Sequence, residues 1–226
     1  MNPISLARLL RLASPALPVG AYSYSDALEW VVEQGIVSDE MSAQRWIRSL
    51  LLGNLARFEL AVLATLYRAW TADDLPAVAN VNADYVAARE TSELRAATLQ
   101  MGAALRAALL AGGEFGEASV LRLAAVEQLS FPAAFAFAAA SWSIAERETL
   151  VGYAWSWAEN QVMAAIKLVP LGQSAGQRIL AHLTPHIESA VETALTLDEA
   201  SWSNFAPLYA IASSRHETQY TRLFRS

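Results

Sequence analysis

Almost everywhere along this chain apolar residues recur three and four positions apart, while the strict alternation of a half-buried strand is scarce. In "RFELAVLATLYRAW", for example, Phe58, Val62, Leu66, Tyr67 and Trp70 share one stripe of a helix. That periodicity leaves only one fold class, all-α. The punctuation agrees. Ser38 can cap a helix running through Trp46 to Leu50, Gly35 can end the preceding one, and Pro132 suits a first turn in "SFPAAFAFAAA". Further helices are predicted over Thr91–Ala111, Glu117–Gln128, Glu146–Leu168, Ser174–Leu183 and Pro185–Leu195, and one beginning within Ser23 to Asp26. The breaks "SPALPVG", "TADDLPA", "AGGEFG", "VPLGQSAG" and "LTPH" are short enough to join neighbouring helices rather than domains. The expectation is one domain over residues 1–226, a compact bundle of roughly eight to ten helices.

Packing such a bundle leaves a surplus. Apolar residues are 54% of the chain and charged ones 17%, more apolar surface than one core of this size absorbs, which predicts a protein–protein contact such as a homodimer. A membrane span needs about 18 or more uninterrupted apolar residues, and the best candidates are cut by Asn54, Arg57 and Glu59. The start, "MNPISLARLLRLASPALPVG", lacks a separate apolar core with a cleavage site and reads as mature protein. The absence of cysteine excludes disulfides, thiolate ligands and cysteine nucleophiles, and agrees with a cytoplasmic location. A formal net charge of −6 argues against nucleic acid as a partner.

Four stretches carry polar side chains that an apolar bundle does not need. "LASPALPVGAYSYSDALEW" stiffens the chain before a helix and presents Tyr22 and Tyr24, as either a capped loop or a recognition loop. "ARETSELRAATLQMG" sets Glu90, Glu93 and Gln100 on roughly one stripe, fit for a solvated face, a polar strip across an interface or the lining of a water-filled passage. "ENQVMAAIKLVPLGQSAGQR" holds Lys167 in the last turn before Pro170, where it caps a helix or joins Gln173, Gln177 and Arg178 in a surface that reads another protein. "RHETQYTRLFRS" closes the chain with Arg215, His216, Glu217, Tyr220, Arg222, Leu223, Phe224 and Arg225, too aromatic for a solvated tail.

Chemistry of the usual kinds finds no foothold. There is no phosphate-binding loop, nucleophile elbow, H-E-x-x-H or dinucleotide fingerprint, so a binding role is expected over an enzymatic one, with no cofactor. Of the three histidines, His182 and His186 are four apart, a spacing that can hold zinc or nickel on one helix. Pro185 between them predicts a helix junction instead, so no metal site is assigned.

In order and spacing over nearly the whole chain, these four blocks resemble the UreF family of urease accessory proteins. Family members often differ within "AYSYSDALEW" and carry a methionine where this chain has Ser214. The resemblance implies an all-α, dimeric maturation factor for urease, the nickel enzyme that hydrolyses urea. It implies binding to the accessory protein UreD (UreH), recruitment and regulation of the GTPase UreG, and through that complex delivery of nickel to apo-urease. It further implies that the tail, residues 213–226, orders on docking to UreD, that Lys167 contacts UreG, and that Glu90, Glu93 and Gln100 serve a polar interior or a dimer contact. If the tail docks as a helix, Tyr220, Leu223 and Phe224 lie on one face at i, i+3 and i+4. The competing expectation is a direct nickel-binding metallochaperone using His182, His186 or His216.

Overall fold

The apolar run from Glu40 to Thr71 folds as one rod in the computed structural model, which describes residues 2–226. The rod is α3 (Glu40–Leu50), a π-helical stretch (Leu51–Glu59) and α4 (Leu60–Thr71) without interruption. By length and composition it could cross a bilayer, but 67% of its apolar window is buried inside the fold, as befits a core helix. It is preceded by α1 (Pro3–Ala13) and the short α2 (Leu28–Glu33). After it come α5 (Leu75–Ala87), α6 (Ser92–Ala111), α7 (Glu117–Ala124), α8 (Phe131–Ser141), α9 (Glu146–Leu168), α10 (Gln173–Thr196) and α11 (Pro207–His216). The described residues contain no strand, as the periodicity requires, and they form a single compact domain.

One element, α8, absorbs part of the apolar surplus from within. The residues of α8 from Phe131 to Ala139 are all buried, so this helix is apolar on every side because α4, α6 and α9 enclose it. Its exposed donors would be costly there, and each finds a partner. Thr98 Oγ1 accepts from the Phe131 amide at 3.1 Å, Asn82 Oδ1 from Ser130 at 2.9 Å, and Ser130 itself caps the turn. Gly102 of α6 lies against the backbone just before α8, with no room for a β-carbon. On the opposite side α9 packs along α10, and α10 along the π-helical stretch.

Several boundaries depart from the sequence expectations, each for a local reason. α2 starts at Leu28 rather than within Ser23–Asp26, because Asp26 and Ala27 take left-handed backbone, φ 49° and 64°. Asp39, not Ser38, caps α3, closing a reciprocal capping box with Ser42. α7 ends at Ala124, short of Gln128. α10 runs straight through Pro185: the predicted junction does not form, since Leu180, Leu183, Ile187, Ala190 and Val191 keep one continuous buried stripe across the proline. Glu90 is not on the helix of Glu93 and Gln100, because Thr91 is the cap of α6 and Glu90 precedes it.

Candidate functional site

The four polar stretches, remote from one another in sequence, meet at one place. Two carboxylates organise it. Glu29, from α2, accepts the main-chain N–H of Leu223 at 2.6 Å through Oε1 and that of Phe224 at 2.8 Å through Oε2. Glu93, in the first turn of α6, accepts from the Arg222 guanidinium at 2.6 Å. Between them lies His216, fully buried at the end of α11, with Nδ1 2.7 Å from Glu93 Oε2 and Nε2 3.3 Å from Glu29 Oε2. An imidazolium, carrying N–H at both nitrogens, satisfies both acceptors at once; a neutral ring would set a lone pair against one of them.

Around this clasp the rest of the tail is tied down by polar contacts. Glu217 accepts from the Ser92 amide at 2.8 Å, the Ser92 hydroxyl at 2.5 Å and the Glu93 amide at 3.2 Å. The Ser92 hydroxyl above all holds the Glu217 carboxyl below its usual range. The carbonyl oxygen of Ser226 accepts from Ser25 N at 2.7 Å and Oγ at 2.5 Å, and the Arg225 amide donates to Ser23 O at 2.8 Å. Lys167 Nζ stands 5.5 Å over the ring of buried Phe224. The first and second polar stretches are tied by Tyr24, whose hydroxyl donates to Gln100 Oε1 at 2.6 Å, and the third joins through Asn160, which donates to the Tyr24 carbonyl at 3.1 Å.

Behind the clasp is a buried polar cage around Glu59. The π-helical stretch ends at this residue, and its carboxylate accepts from Tyr85 Oη at 2.8 Å, from Tyr153 Oη, and from Arg89 Nη1 at 3.4 Å. These groups line a cavity of about 180 Å³ together with Asp26 and Tyr209. Burial pushes the hydroxyls of Tyr85, Tyr153 and Tyr209 well above their ordinary range, so all three stay protonated donors. Asp26 Oδ2 accepts from Trp157 Nε1 at 3.0 Å and Gln161 Nε2 at 3.1 Å. Burial, and secondly the Glu59 charge, raise its carboxyl from 3.8 to about 6. The folded chain therefore holds a proton on Asp26 that the unfolded chain releases. Its contribution to stability is present below about pH 4 and is lost as pH rises through about 6, on the order of 3 kcal/mol. Urea midpoints at pH 4.5 and 6.5 should thus differ more in the native chain than in Asp26→Asn; equal differences would place Asp26 in solvent.

Not every residue singled out in the sequence joins this assembly. Gln173, Gln177 and Arg178 lie exposed on α10, and Arg178 forks onto Glu40 at 2.8 and 2.6 Å, tying α10 to α3. Tyr22 is exposed at the cavity's rim, Tyr220 and Leu223 project into solvent, and Arg215 and Arg225 form no ion pair among the described residues. The polar tail residues Glu217–Ser226 are not helical here, and Leu223 and Phe224 accordingly face apart, one exposed and one buried. The reading of the sequence missed Glu29, Asp26, Glu59 and Arg89. The available signal was charge inside otherwise apolar runs, above all Glu59 in "RFELAVL".

Similarity to known proteins shows the family. The UreF family model matches residues 37–184. The urease accessory protein UreF of Azoarcus sp. (strain BH72) is 55% identical over 225 residues, covering 99% of this chain and 96% of its own. That of Dechloromonas aromatica (strain RCB) is 49% identical, covering 99% and 98%, and that of Methylobacillus flagellatus 50% identical, covering 98% of each. A family model spanning most of the fold, and relatives matching it end to end, show that this chain belongs to the UreF family of urease accessory proteins, with a role in urease maturation.

Proposed function

We propose that the chain is a non-catalytic, cytoplasmic scaffold that binds UreD (UreH) and brings the GTPase UreG into a complex that delivers nickel to apo-urease. The observation that carries this reading is how the tail is held. Only Phe224 of the last ten residues is buried by an apolar side chain; the rest is fixed by carboxylate and serine contacts that a partner's own polar groups can replace. Exposed Tyr220 and Leu223 stand ready as apolar anchors, and the alternative helical form would bring Phe224 onto the same face. Apolar residues exposed on α1 (Ile4, Leu6, Leu10) and α11 (Leu208, Ile211), with Phe205 just before it, support a homodimer and further partner contact.

The test mixes the chain with UreD and UreG and follows assembly by size-exclusion chromatography with light scattering. Three forms are compared: native, truncated before Glu217, and Tyr220→Ala/Leu223→Ala, whose two side chains are exposed and contribute little to folding. Complex formation by the native chain, lost on truncation and weakened at least tenfold in the double variant, is the expected result. Equal assembly by all three would remove the tail from this role.

A further inference from the structure

The cavity behind the clasp is walled by polar groups whose hydrogen-bonding capacity is only partly used. Arg89 is buried and lines it, yet among the described residues only one of its five N–H groups is engaged, from Nη1 to Glu59 at 3.4 Å; Nε and Nη2 have no partner. The Tyr209 hydroxyl, brought by α11, is buried against the same cavity and bonds to no described residue. Asp26 takes both its hydrogen bonds at Oδ2, from Trp157 and Gln161, which leaves Oδ1 open. Folded chains pair nearly all of their buried polar groups, so unused donors gathered around one void mark a place for a guest.

We propose that this cavity binds a small neutral molecule with a primary carboxamide head and an apolar body the size of one six-membered ring. The head matches the unused groups: its carbonyl oxygen accepts from Arg89 and Tyr209, and its N–H groups donate to Asp26 Oδ1. The body meets Leu17, Val19, Leu55, Leu94, Met101 and Phe131, which make the rest of the wall apolar. An apolar cavity of about 150 Å³ holds one benzene molecule. The volume here, about 180 Å³, adds room for the head. Charge favours a neutral guest over an anion. At pH 7.5, above the value of about 6 to which burial raises Asp26, the Asp26 and Glu59 carboxylates outnumber the single Arg89 guanidinium. Glu159 and the exposed Lys167, which also line the cavity, offset one another. Exposed Tyr22 and Met163 belong to the lining too, so the cavity opens to solvent on their side.

The site does not depend on the scaffold reading and is tested on the full chain alone, with benzamide as the probe at pH 7.5. Methionine methyl groups labelled with carbon-13 report the site by nuclear magnetic resonance, since Met101 and Met163 line the cavity and Met41 does not. Benzamide should shift Met101 and Met163 saturably, with a dissociation constant below about 1 mM, and leave Met41 in place. Toluene, the same body without the head, and benzoate, the same shape with a charge, should each bind about tenfold more weakly or worse. Tyr209→Phe deletes only a hydroxyl that holds nothing else, so the melting temperature should stay, while benzamide binding weakens about fivefold or more and toluene binding does not change. The three probes on the native chain need no variant to fold. No saturable shift by about 10 mM benzamide would mean a cavity filled by water and would overturn the proposal. Toluene or benzoate binding as tightly as benzamide would overturn it too, as would an affinity for benzamide untouched by Tyr209→Phe.

Discussion

Replacing Arg89 with alanine should lower the stability of the fold by about 3–5 kcal/mol, read as a shift of the urea midpoint at constant slope. The side chains of Arg89 and Glu59 are 7% and 13% exposed, and nothing else among the described residues forms an ion pair with either. Without the guanidinium, Glu59 keeps two tyrosine donors but becomes an uncompensated negative charge beside Asp26, whose carboxyl already feels it. A second substitution separates charge from packing. Glu59→Gln in the Arg89→Ala background removes the stranded charge and should recover about half of the loss. A cost below about 1 kcal/mol for Arg89→Ala would mean that water enters the cage freely and screens the pair.

Gly102→Ala should be nearly as damaging, at about 3 kcal/mol or a little more. A β-carbon built on Gly102 falls 2.0 Å from the carbonyl oxygen of Leu129 and 2.7 Å from the carbonyl carbon of Ser130. Both are main-chain atoms, so no rotamer change relieves the clash; α6 must move away from the entry to α8. That movement pulls on the Thr98–Phe131 and Asn82–Ser130 hydrogen bonds that satisfy the buried start of α8. For a chain of this size the melting temperature should fall by roughly 6–12 °C. Gly53→Ala is the control. It meets nothing within 4 Å, and there the lower backbone entropy of alanine should leave stability unchanged or slightly raised. An equal fall at both positions would mean that helix geometry rather than close approach decides the loss.

What the sequence made legible follows the range of the forces involved. Helix period is local, so the all-α class and most helix spans can be read from residues within a turn or two of one another. Boundaries depended on tertiary context: Pro185 is carried by the stripe it interrupts, and Asp26 and Ala27 adopt left-handed backbone where Ser25 holds Ser226 and Trp157 and Gln161 hold Asp26. The tail announced itself by its composition, and Glu93, Lys167 and Gln100 by their polarity, although where each points was not readable. The cage was not readable at all. Glu59 meets Arg89 from 30 positions away and Tyr153 from 94, and no local pattern records a contact between residues so far apart. A lone charge in an apolar run says only that a partner must exist.

The clasp also has a history in time. Glu29 and Phe224 are 195 positions apart, so a ribosome adding roughly 5–20 residues per second completes the acceptor some 10–40 s before the amide that will occupy it exists. Once α6 has been made, α2 and α6 carry Glu29 and Glu93 without their tail ligands until the last residues are added, 129 positions separating Glu93 from Arg222, and closing so long a loop is among the slowest steps of folding. A nascent chain therefore passes through a stage at which both carboxylates are open to whatever binds first. The order in which binding groups become available, and not affinity alone, then bears on which contact those carboxylates make.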